Sequence, residues 1–565
     1  MLGRFKRTIK KFLSSKGVQE ITPDEIFLDS SNLPGFDADQ FEGRLEKPIA
    51  KKSINLLFSF FLILVLIIFT RLWVLQIKEG QAYLERSENN RLVYSYIFSN
   101  RGVIYDRNNK SLVINIENPE TKDFSKRLYP EIPGFSHILG YVKYPKKDTA
   151  GFYWETSFVG QDGVESFYSD ILLGTNGLHL VEVDALDNVQ SQGITQSPKD
   201  GENLVLAVDS DIQAKLFEII GSVVESQGFT GGAGIIMDVN TGEILSLASY
   251  PEYDSNILSE GQDREKIGEY VTDSRKPFLN RAISGTFIPG SIVKPFVALG
   301  ALEENIIDPK KKILSTGSLK VPNPYNPGQF SVFGDWKAHG WVDMIDALAV
   351  SSDVYFYNIG GGFEDQKGLG ISRIDKYMKM FGMDEKTGVD LPGEINGLIP
   401  TPEWKEKTFD GDIWRLGDTY ITSIGQYGFQ VTPIEMVRAL ASLVNGGKLL
   451  KPTILKGGEI QSAEPLNFSM EDLAVVKEGM HQAVERGTAS GLNVDYVEIG
   501  AKTGTAEIGK IYLNSWVMGF FPYENPKYAF IVLMERGPRS NSVGGVSVMR
   551  QLLDWMYWNK SEYFK

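Results

Sequence analysis

The chain has 565 residues, a net charge of −14 and no cysteine, with 42% apolar and 12% aromatic residues. That length calls for two folded lobes plus extras, and the acidic balance argues against nucleic acid, whose phosphates need basic surface. No cysteine means no disulfide and no thiolate metal site. The four histidines, His137, His179, His339 and His481, stand at no ligand spacing on one helix, so we expect no metal, no cofactor and no Ser-His-Asp triad. An activated serine would need another base.

Residues 1–53 read as a cytoplasmic tail in two halves. Arg4, Lys6, Arg7, Lys10, Lys11 and Lys16 give residues 1–16 a charge of +6. Leu2, Phe5, Ile9, Phe12 and Leu13 recur there at helical spacing, which suits a helix lying on an anionic inner leaflet. Residues 17–46 carry −7 with proline and glycine breakers, and read as flexible. From Ile54 to Leu75 the chain is apolar apart from Asn55, Ser59, Thr70 and Arg71. As a helix these residues reach about 33 Å, enough to cross a bilayer core. Lys47, Lys51 and Lys52 precede the span, which puts the N-terminus inside and the rest outside.

Residues 76–201 are expected to form a β-rich pedestal, with strands near Leu92–Ile97 and Leu112–Ile116 and a linker at Pro198-Lys199-Asp200-Gly201. Residues 202–565 are expected to form a second lobe. It opens with a strand at Asn203–Val208 and a helix from Asp209 to Ile220 capped by Asp209 or Ser210. Gly234–Met237 and Glu243–Ala248 read as a hairpin turned at Asn240-Thr241-Gly242, and Trp516–Phe521 and Ala529–Met534 as strands at the far end. The middle is helix-rich, for example Pro433–Leu443. The class is therefore α/β, one mixed sheet covered by helices.

Three motifs carry chemistry. Ser291 and Lys294 follow Pro289-Gly290, where a helix can begin, and lie on one helical face. The N–H groups and positive dipole end there favour an oxyanion and disfavour a lysine proton, so Lys294 can act as the missing base. Ser-x-x-Lys alone is common, with about two expected by chance in such a chain. Ser351-Ser352-Asp353 offers a hydroxyl to relay a proton. Lys502-Thr503-Gly504-Thr505, just before a strand, offers a cation and two hydroxyls to a carboxylate, with Gly504 admitting substrate backbone. A second Lys-Thr-Gly, Lys386-Thr387-Gly388, sits in a loop signature and is set aside. The order and context of the three together are specific.

These residues resemble the class B penicillin-binding proteins over nearly the whole chain from Arg71. The likeness includes Arg71–Gln76, Arg101–Asn108, Gly160–Gly177, Asn280-Arg281-Ala282, Pro289–Lys294, Gly425-Gln426-Tyr427-Gly428 and Lys502–Thr505. Ser291-Ile292-Val293-Lys294-Pro295, the acidic Asp353 and Gly519–Tyr523 are most similar to the elongation-specific, penicillin-binding protein 2 branch; septal relatives usually have asparagine at the Asp353 position. The resemblance implies the transpeptidase fold of the serine β-lactamase type. It also implies a peptidoglycan D,D-transpeptidase, inhibited by β-lactams. Ser291 would attack the D-Ala–D-Ala carbonyl and Lys294 would take its proton. Backbone N–H groups of Ser291 and Thr505 would hold the oxyanion, and Ser351 would protonate the departing D-alanine. Lys502, Thr503 and Thr505 would hold the terminal carboxylate and bias Lys294 towards neutrality. The implied partners are stem peptides, the elongation machinery and a glycosyltransferase of the shape, elongation, division and sporulation class. Only about 20 residues separate Asn108 from Tyr129, where relatives usually carry a much larger head that contacts that polymerase. The rival readings are an acyl-enzyme hydrolase (a carboxypeptidase or β-lactamase) and a non-catalytic scaffold or sensor.

Overall fold

The computed structural model describes residues 51–81, 92–149, 153–183, 189–323, 326, 328–463 and 465–565. The basic and acidic stretches expected in residues 1–50 lie outside these.

Helix α1, Lys51–Trp73, runs through the apolar stretch and continues as a π-helical turn, Val74–Lys78. Its large apolar side chains stand exposed from Ile54 to Phe69, and the helix is long and apolar enough to cross a membrane. Thr70, within that stretch, donates its hydroxyl to Leu66 O at 2.6 Å, so this polar group is satisfied inside the helix.

Residues 92–565 form a separate compact unit. Its first part is β-rich as expected. Leu92–Ile97 pairs antiparallel with Gly177–Val183, which pairs with Val189–Gln196. Ile104–Tyr105, Ser111–Ile116 and Lys126–Leu128 make a second small sheet. A fully buried charge cluster ties this sheet to a later helix, with Arg101 and Arg127 both paired to Glu165, the latter at 2.8 Å. The expected linker is instead tied down. Lys199 exchanges backbone hydrogen bonds with Thr175, and Asp200 accepts from Asn100 N at 2.8 Å. The strand expected at Asn203–Val208 is only Leu204–Val205, paired parallel with Ile104–Tyr105.

The second lobe is built on strands β1 (Gly231–Asp238), β2 (Ile244–Tyr250), β3 (Gly500–Ile508), β4 (Tyr512–Phe521) and β5 (Tyr528–Pro538) in the order β2-β1-β5-β4-β3. Every neighbouring pair is antiparallel, where a mixed sheet was expected. Local hairpins β1–β2 and β3–β4–β5 joined through β1–β5 leave no crossover to make a parallel pair. The α/β class stands. Helices α2 (Ser210–Gln227) and α8 (Gly545–Asn559) share a buried apolar cluster with one sheet face. Asp209 caps α2 by accepting from Asp211 N and Ile212 N, as its side chain and position predict. The helical layer consists of α3 (Lys294–Glu303), α4 (Met344–Val350), α5 (Asp353–Gly361), α6 (Pro433–Val444) and α7 (Met470–Glu485). α6 packs on the sheet's other face, while β3, its edge strand, meets α7 and the turn that carries Ser291.

Candidate active site

Ser291 lies in a 3-10 turn, Gly290–Val293, and the α-helix begins at Lys294 rather than at Ser291. Close backbone contact shapes this turn. Gly290 adopts φ +58, and a Cβ there would lie 2.8 Å from Thr505 O on β3. Behind the turn, Gly290 N donates to Gly425 O at 2.9 Å, so the Gly425–Gly428 loop backs the nucleophile. Three residues upstream, buried Trp516 on β4 donates its indole N–H to Ile288 O at 2.9 Å.

Lys294 is fully buried, and its Nζ donates to Ser351 O (2.9 Å), Ser351 Oγ (3.3 Å) and Asp353 Oδ1 (2.6 Å). An ammonium has three N–H groups, so all three are engaged and none is directed at Ser291. Asp353 opens α5 with its side chain mostly buried, and its carboxylate meets Lys294 Nζ at hydrogen-bond range. Ser351 ends α4 in the left-handed region, at φ +59. This conformation is costly for a residue with a Cβ and persists where neighbours impose it.

Lys502 reaches the same hydroxyl from β3, donating to Ser351 Oγ at 2.8 Å and to Thr503 O at 2.9 Å. Its pKa is held well below the ordinary lysine value, first by burial and then by the charge of Lys294, with Asp353 opposing. Ser351 therefore bridges two buried amines, and the depressed amine is the one on β3, which the resemblance had given two roles, holding a carboxylate and biasing Lys294 towards neutrality. Strand β3 pairs with β4 at Lys502–Met518, Thr503–Val517 and Thr505–Ser515, which fixes the motif along the sheet edge. Thr505 is exposed and Thr503 half-buried. Gly504 also has a role in packing. A Cβ there would lie 2.7 Å from Pro289 O, so the missing side chain makes room for the turn that carries Ser291.

The structure therefore brings Ser291, Lys294, Ser351, Asp353 and Lys502–Thr505 into one site. It leaves out Lys386-Thr387-Gly388, whose Thr387 N and Oγ1 and Gly388 N all donate to Glu394 in a closed loop. Sequence reasoning missed Thr488, whose hydroxyl receives that of Thr503 at 2.6 Å. Gly487 allows this, because a Cβ there would lie 2.1 Å from Ala349 O at the end of α4. In sequence Arg486-Gly487-Thr488 looks like an ordinary turn after a helix. Asp335, beneath the Ser351 loop, was missed as well. Two buried amines sharing the Ser351 hydroxyl, one of them pushed towards neutrality, close to the turn that carries Ser291, suit acyl transfer.

Residues 232–554 match the family model described as the penicillin binding protein transpeptidase domain, more than half of the chain. The chain belongs to that family. Residues 118–206 match the penicillin-binding protein dimerisation domain. Among curated relatives, the peptidoglycan D,D-transpeptidase MrdA of Acinetobacter baumannii is 33% identical over 452 residues, covering 74% of this chain and 64% of that one. MrdA of Escherichia coli strain K12 is 30% identical over 475 residues, covering 77% and 72%. The chain thus spans about two thirds of the length of these relatives. Among solved structures, Helicobacter pylori PBP2 in complex with MreC superposes with a TM-score of 0.69 at 26% identity, covering 83% of this chain and 99% of that one. Pseudomonas aeruginosa PBP2 in complex with WCK 5153 gives 0.67 at 28% identity, covering 83% and 98%. Both family and fold agree with the resemblance read from the motifs.

Proposed function

We propose that this protein is a membrane-anchored peptidoglycan D,D-transpeptidase of the elongation type, acting through an acyl-enzyme on Ser291. The observation that carries the reading is the Ser351 hydroxyl, held between Lys294 and Lys502 beside the Ser291 turn. Lys294 becomes a base by passing one proton through Ser351 to Lys502, which burial keeps short of protons. Its freed lone pair then takes the Ser291 proton as Ser291 Oγ bonds to the donor carbonyl carbon. The N–H groups of Ser291 and Thr505 face the developing oxyanion. The proton returns through Ser351 to the leaving D-alanine, and an amine of a second stem peptide resolves the acyl-enzyme. Thr503 and Thr505, with Lys502, receive the donor carboxylate. The anchor and a pedestal favour transfer over hydrolysis, because a hydrolase of a soluble drug needs neither.

Lys47, Lys51 and Lys52, ahead of the apolar span, put the N-terminus in the cytoplasm and the catalytic lobe outside the inner membrane. A PBP2 relative is solved with MreC, and the MrdA relatives carry the same activity name; on that basis we assign this chain to the elongation machinery, with a polymerising glycosyltransferase as partner. Labelling with a fluorescent penicillin tests the core of this reading. Wild type should label at one site and Ser291→Ala should not; equal labelling of both removes Ser291 as nucleophile. Cross-linking of a defined stem-peptide pair then separates transfer from hydrolysis.

A further inference from the structure

Asp335 sits just after the strand Phe330–Gly334, with its side chain fully buried. One oxygen, Oδ2, accepts from the Ser352 hydroxyl (2.9 Å), Val354 N (3.1 Å) and the Ser315 hydroxyl (3.2 Å). The other, Oδ1, accepts from Trp336 N at 2.8 Å and lies 3.4 Å from His339 Nε2. Ser352 and Val354 flank Asp353, and Ser352 follows Ser351 directly. Ser352 is fixed from its other side too, since its Oγ accepts from Tyr355 N at 3.4 Å as the cap of α5. Trp336 completes the frame by donating its indole N–H to Val350 O at 3.2 Å, one residue before Ser351.

The loop that carries the proton relay is thus held before and after Ser351 by two neighbouring residues, Asp335 and Trp336. That frame is what keeps Ser351 in its left-handed conformation and keeps its hydroxyl within reach of both Lys294 and Lys502. We propose that Asp335 is a positioning residue for acylation, acting through Ser352 Oγ and Val354 N to set Ser351 and Asp353 against the two lysines. A carboxylate suits this place because donors meet both of its oxygens. An asparagine would turn its amide N–H groups towards one set of them.

The proposal rests on acylation at Ser291, and its test keeps the two apart. Full-length protein in detergent is acylated by a fluorescent penicillin, and the saturating acylation rate is separated from the affinity of the noncovalent complex. The rate is expressed per labelled site. Asp335→Asn should slow acylation about tenfold and Asp335→Ala about 100-fold, with affinity nearly unchanged. Ser315→Ala, which removes a bond to the same carboxylate away from the loop, should keep the wild-type rate. Ser352→Ala should be slow, and the double variant with Asp335→Asn no slower than the slower single, because both act through one contact. Wild-type rates per site in Asp335→Asn, or fully additive losses in the double variant, overturn the positioning role. A wild-type protein that is never acylated overturns the Ser291 reading, and this inference with it.

Discussion

The Ser351 hydroxyl has one proton and two amines for neighbours, and this makes the site's charge state a property of the pair. Asp353 accepts from Lys294 Nζ at 2.6 Å, while burial and then the charge of Lys294 push Lys502 towards neutrality. The relay needs an empty acceptor on β3. As pH falls through the lowered pKa of Lys502, that acceptor fills and acylation should fall, so the acid limb of the pH–rate profile belongs to Lys502. Asp353 works against the depression. Asp353→Asn should therefore move the acid limb to lower pH and also slow acylation at neutral pH by about 10- to 100-fold, since Lys294 loses the partner of its buried charge. A pH series of acylation rates checks both effects; an acid limb that moves upward contradicts this assignment. At this scale the sequence was informative where chemistry and spacing coincide. Ser291, Lys294, Ser351, Asp353 and Lys502 carry reactive groups in a recognisable order. Asp335 and Thr488 were silent because their contacts to the three motifs span 15 to 19 residues with no helical or strand period, and a turn aspartate looks like any turn aspartate. For Gly504 the sequence could not show that Pro289 occupies the space beside it.

Helix and strand periods located the hairpin around Gly242 within three residues of its observed ends and helix α6 within one, and cap chemistry located the start of α2 at Asp209. Periodicity could not give the 3-10 turn at Ser291, which is set by the approach of Gly290 to Thr505 and Gly425, nor the antiparallel order of the sheet. Helix α6 shows how an element also serves a distant loop. Thr432 and Glu435 form a reciprocal cap at its start, a sequence-visible signature. Glu435 Oε1 additionally accepts from Asp384 N and Gly397 N, tying down both ends of the loop that holds the unused Lys386-Thr387-Gly388. Burial is the dominant influence on Glu435 and raises its pKa to about 7, against the lowering effect of those N–H donors. The folded state therefore holds this proton more tightly than the unfolded state. Its stabilising share is full below about pH 4.5 and is lost as pH rises to about 7, on the order of 3 kcal/mol across the window. In Glu435→Gln this share is absent, so the stability gap between wild type and variant should be wider at pH 5 than at pH 8. Thermal unfolding at the two pH values measures it; a gap that widens with pH refutes the assignment.

Over the whole molecule, the Pro198–Gly201 break suggested a boundary between pedestal and catalytic lobe, whereas residues 92–565 form one compact unit whose joining contacts the sequence did not show. Tyr168 of the pedestal donates to Asp390, 222 residues away, and Glu252 accepts from Ser136 N at 2.9 Å. Asp106 accepts from the Ser210 hydroxyl at 2.7 Å. These are polar bonds between buried or half-buried groups, and hydrophobic patterning carries no trace of them. Asp390 is the densest junction. Besides Tyr168 it accepts from Thr453 Oγ1 (2.7 Å), Ile454 N (2.6 Å) and Leu455 N (3.3 Å), so one buried carboxylate joins the pedestal to two segments of the catalytic lobe. Replacing an oxygen with an amide leaves donors facing donors at a buried position, at about 1–3 kcal/mol for each buried group left unpaired. Asp390→Asn should lower stability by about 3 kcal/mol while leaving the Ser291 turn intact, because no bond of Asp390 reaches it. Denaturant unfolding followed by tryptophan fluorescence, with penicillin labelling on the same samples, tests the two halves together. A lowered midpoint with full labelling below the transition supports a purely mechanical junction. Lost labelling in protein that remains folded would mean that the seam reaches the active site, and unchanged stability would mean that Asp390 does not hold the lobes together.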